Sequence, residues 1–118
     1  MVNKDGKTVA PTSEAFQAAA AGADWKSKPG FGVILANQPG AASWPMTAGT
    51  WILMYKQPQD TAASSEALKF FDWAYKSGDK MAEELDYIPM PDNVVADVEK
   101  MWAADIKDSA GKPVFAMN

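Results

Sequence analysis

The chain contains no histidine and no cysteine among its 118 residues. Without histidine it lacks the commonest general base near neutral pH and the commonest metal ligand. A Ser-His-Asp nucleophile is therefore excluded within the chain. Without cysteine there is no disulfide framework and no thiolate metal site, which suits a cytosolic chain or an exported one stabilised by size. No run of Lys or Arg forms a basic stripe, and the net charge is −4. Nucleic-acid binding is disfavoured on that ground, because phosphate neutralisation supplies most of its affinity. No stretch approaches the roughly 20 apolar residues of a membrane span. The opening Met1-Val2-Asn3-Lys4-Asp5-Gly6-Lys7 has no apolar core of the kind a signal peptide needs, so any export signal is expected in sequence that is not here.

What is present is apolar enough to fold. Hydrophobic residues make up 47 % of the chain and aromatics 11 %, which argues against wholesale disorder. The length fits one domain or a piece of a larger one. The most distinctive stretch is Trp44-Pro45-Met46-Thr47-Ala48-Gly49-Thr50-Trp51-Ile52-Leu53-Met54-Tyr55-Lys56. Its second half is apolar almost without a break and rich in β-formers, which predicts a strand at about 50–56 buried on both faces. Pairing should begin after Pro45, which cannot donate to a ladder, and Gly49 permits a bend. Such a strand needs neighbouring strands and covering helices, so the fold class is α/β.

Turn and cap signals divide the rest. Asp5-Gly6 supplies the positive φ of a tight hairpin turn, with 8–10 as a short extended piece. Pro11-Thr12-Ser13-Glu14 starts a helix at about 12–22, capped by Thr12 or Ser13 and ended by Gly22. Between Pro29-Gly30 and Gln38-Pro39-Gly40, residues 31–36 read as a short extended segment, and Gly30-Phe31-Gly32 lacks the spacing and the lysine of a P-loop. A helix at about 61–77 follows, with Ala67, Phe70, Phe71 and Ala74 as its apolar stripe and Gly78 at its end. Asp79 is placed to cap a shorter helix, 80–86, with Met81, Ala82 and Leu85 inward. Tyr87-Ile88-Pro89-Met90-Pro91 is an extended connector. Pro91 at the first position opens a helix at about 91–107 that carries Val94, Val95, Val98, Met101, Trp102 and Ile106 on one face. Asp108-Ser109-Ala110-Gly111-Lys112-Pro113 turns the chain, and Val114-Phe115 tucks back.

Few residues invite chemistry. Glu83, Glu84 and Asp86 are the densest carboxylate group, but adjacent Glu83 and Glu84 point apart on a helix, so a solvated face competes with a hydrolase reading. Trp25 and Trp44, in or beside loops, are candidates for an aromatic ligand platform, against plain hydrophobic packing. The Asp108 loop lacks the alternating oxygens of a calcium site. Nothing calls for a metal or a cofactor, and the residues alone argue against an enzyme.

Several segments in order carry a resemblance. Lys4-Asp5-Gly6-Lys7-Thr8-Val9-Ala10-Pro11-Thr12, Ala20-Ala21-Gly22-Ala23-Asp24-Trp25, Ala42-Ser43-Trp44-Pro45-Met46-Thr47, Lys69-Phe70-Phe71-Asp72-Trp73-Ala74-Tyr75-Lys76, Leu85-Asp86-Tyr87 and Ile106-Lys107-Asp108-Ser109-Ala110-Gly111-Lys112-Pro113 closely resemble the C-terminal part of the phosphate-binding proteins of bacterial phosphate ABC transporters. The resemblance implies a fragment of a two-lobed periplasmic binding protein of type II. Residues 1–43 would belong to one lobe, 44–49 would cross between lobes, and 50–118 would complete the other. Implied partners are inorganic phosphate and the transporter permease, both for the parent protein, in the periplasm. The family's ligand loops, including an Arg…Ser-Gly-Thr motif, precede this part, so no phosphate ligand is expected on any residue here. The surface left open is expected to be covered by the missing upstream fragment or by a second copy. The rival from another class is a small stand-alone interaction domain without catalytic activity.

Overall fold

The computed structural model describes residues 1–116. Among these residues four α-helices form, the first two of them under side-chain caps. In α1, Ser13–Ala21, the Thr12 side chain accepts from the Ala15 N–H, and Gly22 closes the end. In α2, Thr61–Ser77, Asp60 accepts from Ala63 N–H in the same way. These bounds agree closely with the expected 12–22 and 61–77. The short α3, Asp79–Glu84, follows directly, sharing Gly78 with α2 as C-cap of one and N-cap of the other. Asp79 is thus the first residue of α3 and not its cap. Gly78 keeps a right-handed φ of −96°; its need for glycine is one of space, since a Cβ there would lie 2.5 Å from the Ala74 carbonyl oxygen. The last helix, α4, spans Asp92–Asp105 with Pro91 as its N-cap and not its first residue, so it begins one residue later than expected and ends two residues short of 107.

The apolar face of α4 organises the packing. Val94 sits in one cluster with Ala20, Trp25 and Leu35. Trp102 and Ile106 sit in a second cluster with Leu68 of α2 and Phe115 of the tail. Val98, one turn from each, packs against both clusters. Polar ties reinforce the first contact: Gln17 Nε2 donates to Pro89 O at 3.2 Å, Asn93 Nδ2 to Ala21 O at 3.3 Å, and Lys26 pairs with Asp97 at 3.1 Å. In the second, Trp102 stacks on Tyr75 at 6.0 Å and meets Phe115 edge-on at 5.4 Å. The tail therefore tucks in as expected, held by a turn in which Asp108 Oδ1 accepts from Ala110 and Lys112 N–H.

The amino-terminal hairpin also forms. Gly6 takes φ +72°, Asn3 N–H donates to Lys7 O at 2.8 Å, and Val2 bridges Thr8. The Asn3 amide, buried, donates to the carbonyls of Gly40, Ala41 and Ser43 and so pins the hairpin to the loop before Trp44.

Three expectations are corrected. First, the buried strand at 50–56 is not formed, and among the described residues no sheet exists, only the isolated bridges Val2–Thr8 and Lys107–Pro113. The segment is irregular, with Trp51 46 %, Ile52 65 %, Leu53 91 % and Tyr55 82 % exposed. Among the described residues its one backbone tie is Lys56 O, which accepts from Lys107 N–H at 2.8 Å. A central strand takes its hydrogen bonds from two neighbours, and no described segment lies extended beside it. The piece at 31–36 is likewise unpaired: Phe31 ends a 3₁₀ turn, Pro29–Phe31, and only Leu35 is buried. Second, the buried centre of α2 is Leu68. Phe71, Ala67 and Ala74 flank it, but Phe70 faces solvent and stacks on exposed Trp73 at 5.9 Å. Third, Met81 and Leu85 are exposed, and only Ala82 of that trio is half-buried. Consistent with unfilled contacts, the radius of gyration is 15.9 Å, against about 13.5 Å for a compact domain of this length.

Truncating Trp102 to Ala removes the ring that joins Phe71, Tyr75 and Phe115. We expect a loss of about 3–5 kcal/mol in denaturant unfolding, against less than about 1 kcal/mol for Phe70→Ala on the outer face of α2. Equal losses would place the core elsewhere.

Candidate functional site

The residues singled out for chemistry do not converge. Glu83, Glu84 and Asp86 are all exposed, on α3 and the turn after it. Among the described residues no group of three or more Asp or Glu side chains is placed to hold a metal ion. Trp25 is buried, with its indole N–H donating to Ala20 O at 2.7 Å, and Trp44 is buried against Phe16 at 6.2 Å. Both rings are packing elements. The Asp108 carboxylate is used up by its own turn.

What the fold does build is an apolar cleft beneath residues 49–54. It is lined by Trp25 and Phe31, by Phe71 and Tyr75 of α2, and by Val94, Val98 and Trp102 of α4; the cavity is about 240 Å³. Trp51 also lines it, its ring 5.8 Å from that of Trp25. A shallower groove of about 600 Å³ continues from Gly49 and Thr50 past Tyr75 toward Asp86 and Tyr87. The cleft offers aliphatic and aromatic surface and little to orient a polar ligand. It exists because two clusters on one helix leave a gap that the 49–54 segment crosses without filling.

The electrostatically unusual residues lie beside that cleft, where α2 meets α4. Lys76 Nζ is 2.8 Å from Asp72 Oδ1 and donates to Oδ2 at 2.9 Å, which leaves the buried Oδ1 with an ionic neighbour but no aligned donor. Glu99 of α4 faces the same carboxylate. Burial first, and then the hydrogen bond and charge of Asp72, push the Glu99 carboxyl above its ordinary range, with Lys76 acting the other way. A protonated Glu99 is the group able to donate to Asp72. Burial and the Glu99 charge also raise Tyr75. The Asp72–Lys76 pair is local, at i, i+4 within α2, but Glu99 meets it only through the packing of two helices. No local signal marks that meeting.

The linkage has a definite sign. Glu99 holds its proton more tightly folded than unfolded, so its contribution is full below the ordinary value of 4.5 and is lost as pH rises through its raised folded value. Urea unfolding measured across that window should show stability declining with rising pH from this group. Glu99→Gln, neutral throughout, should flatten the decline; an unchanged pH profile would contradict the assignment.

No family model matches the chain. It is similar to the phosphate-binding protein PstS of Pasteurella multocida, 43 % identical over 113 residues, which is 96 % of this chain and 33 % of that protein. The PstS proteins of Xylella fastidiosa and Haemophilus influenzae are each 43 % identical over 105 residues, 89 % of this chain and 29 % and 31 % of theirs. The chain thus spans a third or less of the length of the curated relatives it matches. Nearly all of the chain aligns at that identity, so it is similar to one part of the phosphate-binding protein PstS.

Proposed function

We propose that this chain is one part of a phosphate-binding protein of an ABC transporter, acting in the periplasm by capturing inorganic phosphate for a membrane permease without bond chemistry. The observation that carries the reading is the 43 % identity along 96 % of this chain, set against its 33 % share of the relative's length. In this reading the whole protein has the two lobes of a type II periplasmic binding protein. Residues 1–43 belong to one lobe, 44–49 cross, and 50–118 complete the other. The exposed apolar run 50–55 supports it, since Ile52, Leu53 and Tyr55 have the composition of a sheet strand and the exposure of one whose neighbours lie in the remaining two thirds. Under this division the packing of Ala20, Trp25 and Leu35 on Val94 becomes a contact between lobes.

The phosphate ligands are then supplied by the remaining part. Every basic residue here is lysine, which offers a flexible point charge where a guanidinium would offer a planar fork. Lys26, Lys56, Lys69 and Lys76 are engaged with carboxylates, and the net charge of −4 opposes an anion. Titration calorimetry with inorganic phosphate should show no saturable binding to the 118-residue chain. Binding should appear when the chain is produced in one polypeptide with the two thirds that its relatives carry. Tight binding by the short chain would overturn the assignment of the ligands, and none by the long one would overturn the reading itself.

A further inference from the structure

We propose that the seat of Val94 against Ala20, Trp25 and Leu35 is a fixed joint between the two lobes, with Ala48-Gly49-Thr50 as the flexible link beside it. On the lobe division put forward above, on which this inference rests, the joint connects the lobes by packing and not by the chain itself. Both of its sides lie within this chain. The contact is built like a core: Val94 is 1 % exposed, and the three side chains around it are buried. The Trp25 indole N–H is satisfied by Ala20 O at 2.7 Å. Interfaces between domains that separate are more polar than obligate ones, and a close-packed apolar plug leaves no room for graded sliding. Three polar ties set the register. Gln17 donates to Pro89 O, Asn93 donates to Ala21 O, and Lys26 pairs with Asp97. Residues 89, 93 and 97 follow one another in the same order as their partners 17, 21 and 26, so a slip of either segment along the other breaks all three ties.

Freedom is confined to a short stretch of the crossing. Up to Thr47 it is tied to the amino-terminal side. Trp44 N–H donates to Ala15 O at 2.9 Å, Asn37 N–H to Pro45 O at 2.8 Å, and the Asn3 amide to Ser43 O at 3.3 Å. Thr47 is buried, with its hydroxyl on Trp44 O. Among the described residues no hydrogen bond holds the backbone of Ala48, Gly49 or Thr50, and Ala48 and Thr50 are exposed. Chain that carries no ties is where a hinge absorbs its change in φ and ψ. The shallow groove is lined from both sides of this link, by Phe16 and Gln17 and by Ala74, Asp79 and Tyr87. A turn of one lobe against the other then pivots on Val94, bends the chain at 48–50 and alters the groove, while the joint stays closed.

The test uses the long polypeptide that joins this chain to the two thirds its relatives carry. The 118 residues contain no cysteine, and any in the remainder are replaced by serine. Ala21→Cys with Asn93→Cys then sets one reactive pair across the joint, both positions being exposed. Linking the pair with a short bismaleimide should leave phosphate affinity within about twofold, since a contact equal in both states shifts no equilibrium. Gly49→Pro, which stiffens the link where no N–H is in use, should slow phosphate association by about tenfold. Amide exchange should show Ala19, Ala20 and Val98 equally protected with and without inorganic phosphate. A cross-link that abolishes binding, protection of those three amides that is lost when phosphate is added, or association unchanged by Gly49→Pro would each overturn the proposal. Failure of the unlinked long polypeptide to bind phosphate would instead overturn the lobe reading. The joint is then decided by exchange in the 118-residue chain alone, where Val94→Asp should strip protection from Ala19 and Ala20 while far-ultraviolet circular dichroism shows the helices retained; protection that survives the substitution would overturn it.

Discussion

One helix face holds this molecule together. Helix α4 carries apolar side chains along its whole length, from Val94 through Val98 to Trp102 and Ile106. At 1.5 Å per residue its 14 residues span roughly 21 Å, long enough to serve two clusters that do not otherwise merge. The alanine-rich α1 buries little area by itself, and its neighbours Trp25 and Leu35 become a core only because Val94 closes them. At the far end Leu68, Phe115 and Ile106 close around Trp102. Remove the continuity of that face and two small clusters remain, each below what a single core needs to offset chain entropy. The apolar cleft follows from the same arrangement, because clusters tied to opposite ends of one rod leave the middle open beside Val98.

Charge is distributed to suit this architecture. Lys26–Asp97 ties the loop after α1 to α4, Lys56–Asp105 ties the 50s segment to the end of α4, and Lys76–Asp72 lies where α2 approaches it. Exposed pairs of this kind contribute little each, and their value here lies in direction: two of the four among the described residues end on α4, and a third lies on the part of α2 that faces it. The exception in character is Asp72 with Glu99, two carboxylates at a helix–helix contact where burial disfavours charge. There the protonation of one side chain serves the hydrogen bonding of the other, so the seam between α2 and α4 responds to pH where the surface pairs respond to salt.

What could be read from sequence was what is locally encoded. Asp60 and Gly78 bracket α2, Thr12 and Gly22 bracket α1, and Asp5-Gly6 and Asp108-Ser109-Ala110-Gly111 make their turns, because each signal acts within a few residues. The face of α4 was legible for the same reason: its period is 3.6 and its apolar residues are large. The failures share the opposite property. Phe70 and Leu68 both lie on plausible stripes of α2, and which one is buried depends on where Trp102 stands. Met81 and Leu85 are apolar at helical spacing, yet among the described residues nothing buries them. Asp72 and Glu99 are 27 positions apart, and only tertiary packing joins them. The likeness to PstS was legible too, through ordered segments that include Lys69-Phe70-Phe71-Asp72-Trp73-Ala74-Tyr75-Lys76, although no single chemical motif announces it.

The contrast between the helices and the 50s segment is a contrast in where hydrogen bonds come from. A helix satisfies its own backbone within four residues, so α1, α2 and α4 form in a chain that spans a third of its relatives' length. A strand satisfies nothing alone; each N–H and C=O waits for a partner distant in sequence. Thr50 to Tyr55 therefore keeps the composition of a core strand while lying open. The same apolar residues that would drive it into a sheet now supply most of the exposed hydrophobic surface near the cleft. Exposure of that kind is costly at about 25 cal/mol per Å², and open edges invite pairing. The segment is the place where the chain's sequence asks for more structure than its own residues can provide, and its chemistry specifies what must come: an extended, uncharged edge with large apolar side chains on alternate residues.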